Sequence, residues 1–442
     1  MNRKLQLALA ASVVVSALAG CSKTALVAGV SQPSDSTAVV AGKPIEGSAV
    51  VRMKPGRTRL GATLASGAKS KLAIDALDIY EVTLPKGKTV ADLKKELGDS
   101  AMYVEANTTF TMADPVDTLT GQGLGTDAPP VVPVPGFNDP MSDKQWGIAN
   151  THQAEAIAAS KGGSDKVTIA IVDTGIDLGH PDLKDKIVKG YNATGVSGLF
   201  GFGSPADDNG HGTHCAGIAA AISNNGTGIV GMAPNCRIMP VRVLAGMGSG
   251  SLLSVATGIT WAADHGADVI SMSLGGAGTM DALGDAVKYA LSKNCVIVAA
   301  MGNSGHEQNP VSFPASYPGV IAVAASDWDD NHAFFSSYNK YCSVASPGCK
   351  IFASTPTYPV WLTKNTGGHI TNNYSWMSGT SMATPLVAGL CGLIRSQHPG
   401  MKPADVKALL ERTADKVPDM GGADWTERLG HGRINALKAV TL

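Results

Sequence analysis

Three residue types that cooperate in acyl transfer occur at separate points of this sequence, each beside small residues. Asp173 ends the apolar run VTIAIVD, His211 begins HGTHCAGIAAAI, and Ser381 lies in SGTSMATPLVAGLCGLI at the start of a long apolar helical pattern. A serine hydroxyl is a weak nucleophile at neutral pH, so a histidine must take its proton and a carboxylate must orient that histidine. Together the three residues predict nucleophilic catalysis by serine.

Each residue also has a simpler interpretation on its own. Asp173 could cap its own turn, and Ser381 could be one of several helix-capping candidates. His211 could bind a metal with His214, although the sequence has no HExxH pattern, and His214 could equally be a packing residue. A fourth residue favours catalysis, because the Asn303 side-chain amide and the Ser381 backbone amide could bind a tetrahedral oxyanion.

The elements that must position these residues alternate between apolar runs and helical patterns. This alternation predicts an α/β domain with a mostly parallel sheet buried on both faces, with ligands gathered at the carboxyl ends of its strands. The predicted strands are residues 167–173, 237–244, 268–276, 295–303 and 320–326, and the predicted helices are 211–222, 252–266, 280–294, 384–398 and 403–417.

Five segments, AIVDTGID, NGHGTHCAG, SMSLGG, AAMGNSG and SGTSMATPLVAG, resemble the subtilisin-like serine proteases in that order, over about residues 137–442. The resemblance implies the subtilisin-like three-layer fold, with Asp173, His211 and Ser381 as the triad and Asn303 as the oxyanion donor. The serine lies in GTSMA and not in GxSxG, which argues against the α/β-hydrolase esterases.

The same resemblance implies two extended edges between which a polypeptide substrate binds as an added strand. Taken alone, the first edge would be interpreted as a flexible glycine loop. Ser312 stands near the expected pocket floor, where the family commonly has glycine, so we expect a narrowed pocket. The edges are Gly248, Ser249 and Gly250 on one side and Ser273, Leu274, Gly275 and Gly276 on the other.

The stretch AAISNNGTGIVGMAP is similar to the calcium loop of the thermitase branch of this family, and NDPMSDKQWG and HPDL add carboxylates. All of the implied ligand atoms are oxygens, as calcium prefers. The simpler interpretation is that NNGTG is only a turn. The implied ligands are Asp139, Asp182, Asn225 and Thr227 with the backbone carbonyls of Ile222 and Ile229.

The N-terminus has the pattern of an export signal. Two basic residues precede an apolar stretch from Leu5 to Leu18, which is too short to span a bilayer comfortably. The stretch ends in LAGC and resembles a bacterial lipobox, so residues 1–20 would be removed and Cys21 lipidated. An ordinary secretory signal is the alternative. We expect an exported lipoprotein precursor at the cell envelope.

The remaining chain divides into a tether at residues 21–45, a small α+β domain at 46–112, a Pro/Gly-rich linker at 113–136 and the catalytic domain at 137–442. The small domain pairs three strand patterns with a Thr-capped helical pattern, TVADLKKEL. It loosely resembles the propeptides of these proteases, which implies an intramolecular inhibitor. Cleavage in the linker would then release the enzyme from its anchor unless the propeptide stays bound.

The composition of the chain limits the classes of partner that it is expected to bind. Lys and Arg number 35 against 36 Asp and Glu, and no dense basic block occurs, so neither nucleic acid nor an anionic membrane surface is an expected partner. Membrane contact would come only through the lipid, and we expect a monomer acting on polypeptides. With one of seven cysteines lipidated, the other six allow 15 full pairings, which stay open.

The leading prediction is an exported serine endopeptidase that is made as an autoprocessed precursor. A narrow-specificity processing peptidase is the first alternative. A non-catalytic envelope binding protein of the same fold is the second.

Overall fold

The computed structural model describes residues 42–57, 59–61, 64–112, 129–131, 135–199 and 201–442. The predicted signal, the lipid site at Cys21, and most of the tether and linker lie outside these residues. No helix in the described ranges is both long and apolar enough to cross a membrane.

The N-terminal domain is a four-stranded antiparallel sheet with one helix. Thr89 caps the helix as predicted, because its side chain accepts from the Asp92 backbone amide and the Asp92 side chain accepts in return. The first strand begins two residues before the predicted domain boundary, and the second strand was not predicted. The elements are β1 (Pro44–Met53), β2 (Lys69–Ile74), β3 (Ile79–Thr83), α1 (Val90–Leu97) and β4 (Ala101–Met112), in the sheet order β4-β1-β3-β2.

The large domain contains the rest of the strands. They are β5 (Thr168–Asp173), β6 (Tyr191–Asn192), β7 (Arg237–Arg242), β8 (Ser249–Ser251), β9 (Val269–Met272), β10 (Leu274–Ala277), β11 (Val296–Ala300), β12 (Ser312–Phe313), β13 (Ile321–Ser326), β14 (Cys342–Pro347), β15 (Ile351–Thr355) and β16 (Asn373–Met377).

Nine helices of the large domain lie within the described residues. They are α2 (Gly147–Asn150), α3 (Gln153–Ser160), α4 (His211–Ala220), α5 (Leu252–Asp264), α6 (Asp281–Ser292), α7 (Trp361–Asn365), α8 (Thr380–Gln397), α9 (Pro403–Thr413) and α10 (Ala436–Thr441).

A parallel seven-stranded sheet forms the centre of the large domain, in the order β14-β13-β11-β9-β5-β7-β6. Every residue of β9, β11 and β13 is buried, as expected of continuous apolar strands with both faces covered. The helix α4 packs on α8, and α5 packs on α6; α4 and α5 contact β5 and β7 of the sheet, α8 contacts β9, β11 and β13, and α6 contacts β11. The predicted α/β fold with a mostly parallel sheet is confirmed.

The predicted strand over residues 268–276 divides in two. β9 stays in the parallel sheet, whereas β10 pairs antiparallel with β12 and with β4 of the N-terminal domain. Ser273 lies at the break and is therefore at the carboxyl edge of the central sheet, where Asp173 also ends β5.

Candidate active site

His211 is held at the start of α4 by the loop before it. The buried carboxylate of Asp207 accepts from the backbone amides of Gly210 and Thr213, at 2.9 and 3.0 Å. These bonds satisfy amides that have no partner within the helix. Nδ1 of His211 lies 2.8 Å from Oδ1 of Asp173, and both side chains are fully buried. Since an ionised carboxylate only accepts, Nδ1 carries the proton of this bond.

The surroundings of His211 suit an imidazole that exchanges a proton. Burial is the largest single effect on the pKa of His211 and lowers it, but the charge and hydrogen bond of Asp173 together with the adjacent Cys215 outweigh burial and hold this pKa well above the usual value. Nε2 is buried and has no hydrogen-bond partner among the described residues. The ring is therefore oriented through one nitrogen, and the other can accept a proton.

Ser381 is the second residue of α8, and a proline shapes its surroundings. Pro385 has no N–H to donate to the Ser381 carbonyl, which lies four positions earlier. That carbonyl instead accepts from Ser273 Oγ at 2.8 Å and lies 3.5 Å from Cys215 Sγ. Ser381 Oγ donates to the Ser273 carbonyl at 3.2 Å. Cys215 Sγ is also 4.0 Å from His211 Nδ1, so Ser381 and His211 contact the same thiol.

Thr380 fixes the orientation of the Asn303 amide. Its backbone N–H and its hydroxyl donate to Asn303 Oδ1, at 2.9 and 2.8 Å. Nδ2 therefore lies on the other side, near Gly379. A Cβ at Gly379 would be 3.0 Å from Nδ2 of Asn303 and 3.6 Å from the backbone nitrogen of Ser381. Because glycine has no Cβ, a substrate oxygen could enter the space beside both donors.

The two predicted substrate edges lie on either side of one extended segment, the end of β4. Thr111 pairs antiparallel with Ser249 of β8 and with Gly275 of β10. The backbone amide of Met112 donates to the Gly248 carbonyl at 2.9 Å. The cleft between β8 and β10 thus binds an extended chain as an added strand.

A cavity of about 160 Å³ lies beside this cleft and has Asn303 in its wall. Ser312, predicted at the pocket floor, lines it together with Gly275 and Gly302. A Cβ added at Gly275 would overlap the Ser312 hydroxyl, so this serine occupies space next to the β10 backbone. The cavity is of a size to hold a single side chain.

The relationship to known proteins agrees with this geometry. Residues 164–432 match the model of the subtilase family. The chain belongs to the subtilase family. It is 45% identical over 304 residues to thermitase of Thermoactinomyces vulgaris, covering 69% of this chain and 98% of thermitase. It is 40% identical over 269 residues to subtilisin DY of Bacillus licheniformis, covering 60% of this chain and 90% of that protein.

A solved structure extends the similarity. Fervidolysin from Fervidobacterium pennivorans, described as a keratinolytic enzyme related to subtilisin, matches with a TM-score of 0.73 and 28% identity. The match covers 91% of this chain and 62% of that chain. This subtilase is a serine endopeptidase, so the enzyme prediction is confirmed over the non-catalytic alternative.

The N-terminal domain of this subtilase buries a side chain in the cleft. Phe110 of β4 is fully buried, and a Cβ added at Gly276 of β10 would lie 2.9 Å from its ring. The domain also supplies helix caps to the large domain. Glu105 accepts from the backbone amide of Asp281 at the start of α6, and Asn107 accepts from that of Leu253 at the start of α5.

A second polar cluster contains the implied calcium ligands. Asp182 is fully buried, and its Oδ1 accepts from Nδ2 of Asn225 at 2.9 Å. Its Oδ2 accepts from the Ile229 backbone amide at 3.1 Å and from the Tyr374 hydroxyl at 2.9 Å. The carboxylate therefore joins the 222–229 loop to β16.

The rest of the implied set adjoins Asp182. Asp139 accepts from the backbone amides of Asn224 and Asn225, at 2.8 and 3.2 Å. The Ile222 backbone amide donates to the backbone carbonyl of Asp182 at 3.0 Å, and the Thr227 backbone amide donates to Oδ1 of Asn225 at 2.8 Å. Three separate stretches of sequence thus converge in this cluster.

The charges in this cluster fit a cation. Asp139 and Asp182 are both buried, and neither forms an ion pair with a side chain in the described ranges. Burial raises the pKa of Asp182. Two adjacent buried carboxylates without a cationic side chain are costly, and an ion bound by oxygen ligands would supply the missing charge.

Some residues at these sites were not predicted. Thr380 orients Asn303, and its only sequence signal was its place beside Ser381. Tyr374 binds Asp182 across 192 positions of sequence, which no local pattern indicates. His214, on the same helix as His211, has its Nε2 3.1 Å from the Ser375 carbonyl, and burial lowers its pKa to about 3.

Proposed function

We propose that this subtilase hydrolyses exposed polypeptide segments through an acyl-enzyme on Ser381. The observation that carries the proposal is the buried pair of His211 and Asp173, 2.8 Å apart, whose remaining imidazole nitrogen has no hydrogen-bond partner among the described residues. His211 Nε2 accepts the Ser381 proton as Oγ attacks the substrate carbonyl carbon. Asp173 holds the imidazole in the tautomer that this step needs and stabilises its positive charge.

The remaining steps use the same residues. The developing oxyanion binds Asn303 Nδ2 and the Ser381 backbone amide, on either side of the space at Gly379. His211 returns its proton to the leaving amine as the C–N bond breaks. Water then attacks the acyl ester, His211 takes a proton from that water, and Ser381 recovers its proton as the carboxylic acid product leaves.

We also propose that residues 46–112 are an inhibitory propeptide. β4 fills the cleft in the antiparallel register expected of a substrate, and Phe110 buries its ring there. The Glu105 and Asn107 caps on α6 and α5 add polar contacts between the two domains. Cleavage within residues 113–136 would leave the propeptide bound at first as a product-like inhibitor.

Asp139, Asp182, Asn225 and Thr227, with the carbonyls of Ile222 and Ile229, would hold a structural calcium ion. The ion would neutralise the two carboxylates and join three segments of the large domain. It lies outside the acyl-transfer steps, so its expected effect is on stability.

The N-terminal sequence supports export and anchoring through a lipid on Cys21. Because the anchor precedes the propeptide, cleavage in the linker would free a monomeric enzyme once the propeptide leaves. A fully active, membrane-retained species whose N-terminus lies near residue 137 would contradict simple release.

N-terminal sequencing and intact mass of the wild-type chain and Ser381→Ala test both catalysis and processing. Wild type should yield a mature N-terminus within residues 113–139, and Ser381→Ala should keep the propeptide attached and leave casein uncut. Undiminished casein cleavage by Ser381→Ala would overturn the assignment of the nucleophile.

The narrow-specificity alternative has one observation in its favour, the small cavity that Ser312 lines. A mixed peptide library separates the alternatives. A degradative enzyme cuts many sequences at similar rates, whereas a processing peptidase cuts a few.

A further inference from the structure

The side-chain amide of Asn209, two positions before His211, binds backbone groups in two directions. Its Oδ1 accepts from the His211 backbone amide at 3.1 Å, and its Nδ2 donates to the Gly246 carbonyl at 2.8 Å. Because a side-chain amide accepts through oxygen and donates through nitrogen, these two partners fix its orientation. Asn209 is fully buried, so both bonds are shielded from solvent.

The first partner belongs to the catalytic end of α4. His211 is the first residue of this helix, so its backbone amide has no acceptor within the helix. The Asp207 carboxylate binds two neighbouring amides, and Asn209 provides the acceptor for His211 itself. The bond therefore acts on the backbone of the residue whose imidazole accepts the serine proton. A displacement of about 1 Å at a catalytic group can cost about 100-fold in rate.

The second partner belongs to the turn that leads into the substrate edge at β8. The Gly248 amide closes this turn by donating to the Ala245 carbonyl at 2.8 Å. The Gly248 carbonyl accepts from the Met112 backbone amide at 2.9 Å, at the place where the backbone of a substrate would bind. The carbonyl that holds the bound strand is thus two positions along the chain from the Gly246 carbonyl that holds Asn209.

The backbone of Asn209 is held by bonds of its own. Its amide donates to the Asp207 carboxylate at 2.9 Å, and its carbonyl accepts from the Leu362 backbone amide at 3.0 Å. These bonds keep the loop in place without the Asn209 side chain. The side-chain amide therefore serves to connect α4 to the substrate edge.

We propose that Asn209 is a positioning residue that makes the placement of His211 depend on whether the substrate edge is occupied. A strand bound to the Gly248 carbonyl holds the turn, the turn holds the Asn209 amide, and the amide holds the start of α4. The inference rests on the proposed function, because it concerns the alignment of the proposed base. Binding at the edge would raise kcat as well as lower KM, so extended polypeptides would be cut faster than short peptides that do not reach Gly248.

The test is a cycle that removes the bond on each side of this connection. Two p-nitroanilide peptides differ only at the position equivalent to Met112. One has the backbone N–H there, and the other is a depsipeptide whose ester oxygen cannot donate to the Gly248 carbonyl. The protein variant is Asn209→Ala, in the full chain after whatever self-cleavage it undergoes.

Asn192→Ala is the matched control. The Asn192 side chain has the same two kinds of bond, because its Oδ1 accepts from the Thr194 backbone amide at 3.0 Å and its Nδ2 donates to the Ser204 carbonyl at 3.1 Å. Neither partner belongs to α4 or to the substrate edge. The control should therefore behave as wild type does with both peptides.

In wild type and in the control, the ester should lower kcat about 5-fold, as expected for the loss of one neutral hydrogen bond. Asn209→Ala should have a kcat about 5-fold lower for the amide peptide, and the ester should lower this value by a further factor of about 2 at most. A merely structural role would leave the ester effect unchanged. Equal ester effects in wild type and Asn209→Ala, or an effect on KM alone in wild type, would overturn the proposal.

Asn209→Asp separates the two bonds and keeps the test open if Asn209→Ala does not fold. Its carboxylate can accept from the His211 amide but has no N–H for the Gly246 carbonyl, so the ester effect should again disappear. Because the added negative charge favours protonated His211, kcat is compared on the pH-independent plateau. Retention of the full ester effect in Asn209→Asp would overturn the proposal.

If wild type cleaves neither peptide, the proposed function fails, and NMR of the His211 imidazole still tests the connection. The amide peptide should shift the ring nitrogen signals of wild type more than the ester peptide does. In Asn209→Ala the two peptides should give the same shift. A difference of the same size in both proteins, or none in wild type, would overturn the role of Asn209.

Discussion

Replacing Asn303 by alanine should slow the chemical step while leaving substrate binding almost unchanged. Thr380 holds Oδ1 of Asn303 with two hydrogen bonds, so Nδ2 is already placed beside the Ser381 backbone amide. A donor fixed in this way acts mainly on the oxyanion, which exists only after the nucleophile has attacked. Loss of one such donor reduces kcat by roughly 100- to 1000-fold, a magnitude measured on a subtilisin. We expect Asn303→Ala to fall in this range.

Thr380→Val provides an intermediate step in the same series. It removes the hydroxyl bond to Asn303 but keeps the backbone bond, so the amide loses part of its support. One neutral hydrogen bond contributes about 1 kcal/mol, which corresponds to a decrease of about 5-fold in kcat. The graded result would identify Thr380 as a positioning residue.

The assay is steady-state hydrolysis of a chromogenic peptide, with kcat and KM determined separately. Asn150→Ala is the matched control, because it removes the same type of side-chain amide from α2, where the amide donates to the Trp328 backbone carbonyl. The control should keep wild-type kcat. A change in KM without a change in kcat for Asn303→Ala, or a decrease in kcat below about 10-fold, would refute the oxyanion assignment.

Calcium, the pKa of His211 and the propeptide should each have a separate measurable effect. At free calcium about 100 times the dissociation constant, binding raises the free energy of unfolding by ~2.7 kcal/mol, so a chelator should lower Tm by roughly 5–10 °C. Asp182→Asn should have the same Tm with and without chelator. An equal Tm for wild type with and without chelator would count against the site. Only neutral His211 accepts the serine proton, and the pKa of His211 lies above the usual ~6.5, so kcat/KM should fall as the pH drops through this pKa. A flat profile of kcat/KM from pH 5 to 8 would contradict this role. Phe110→Ala should weaken propeptide packing by ~3–5 kcal/mol and therefore shorten the lag before activity appears. Met102 is half exposed, so Met102→Ala should keep the wild-type lag. Equal lags in the two variants would argue against inhibition by β4.

The sequence predicted best those structural features that depend on residues close together in the chain. The buried run that ends at Asp173 predicted both β5 and the position of that carboxylate at the carboxyl edge. The cap of α1 by Thr89 followed from a short local pattern in the same way. These features depend on side-chain periodicity and on groups a few residues apart, which a single sequence contains.

Most of the features that were missed depend on residues far apart in sequence. The break at Ser273 arises because β10 pairs with β4 and β12, and an apolar run does not indicate its partner. The bond between Thr380 and Asn303 spans 77 positions, and that between Tyr374 and Asp182 spans 192. β2, with the sequence KSKLAI, is too polar to stand out as a strand.

Labelling with a fluorophosphonate, followed by mass mapping of the peptides, tests the central claim most directly. Wild type should carry one label, on the peptide that contains Ser381, and His211→Ala should label much more slowly because the hydroxyl has lost its base. Ser381→Ala should carry no label and cut no casein. A label on another residue, or equal labelling of Ser381→Ala, would contradict the assignment of Ser381 as the nucleophile.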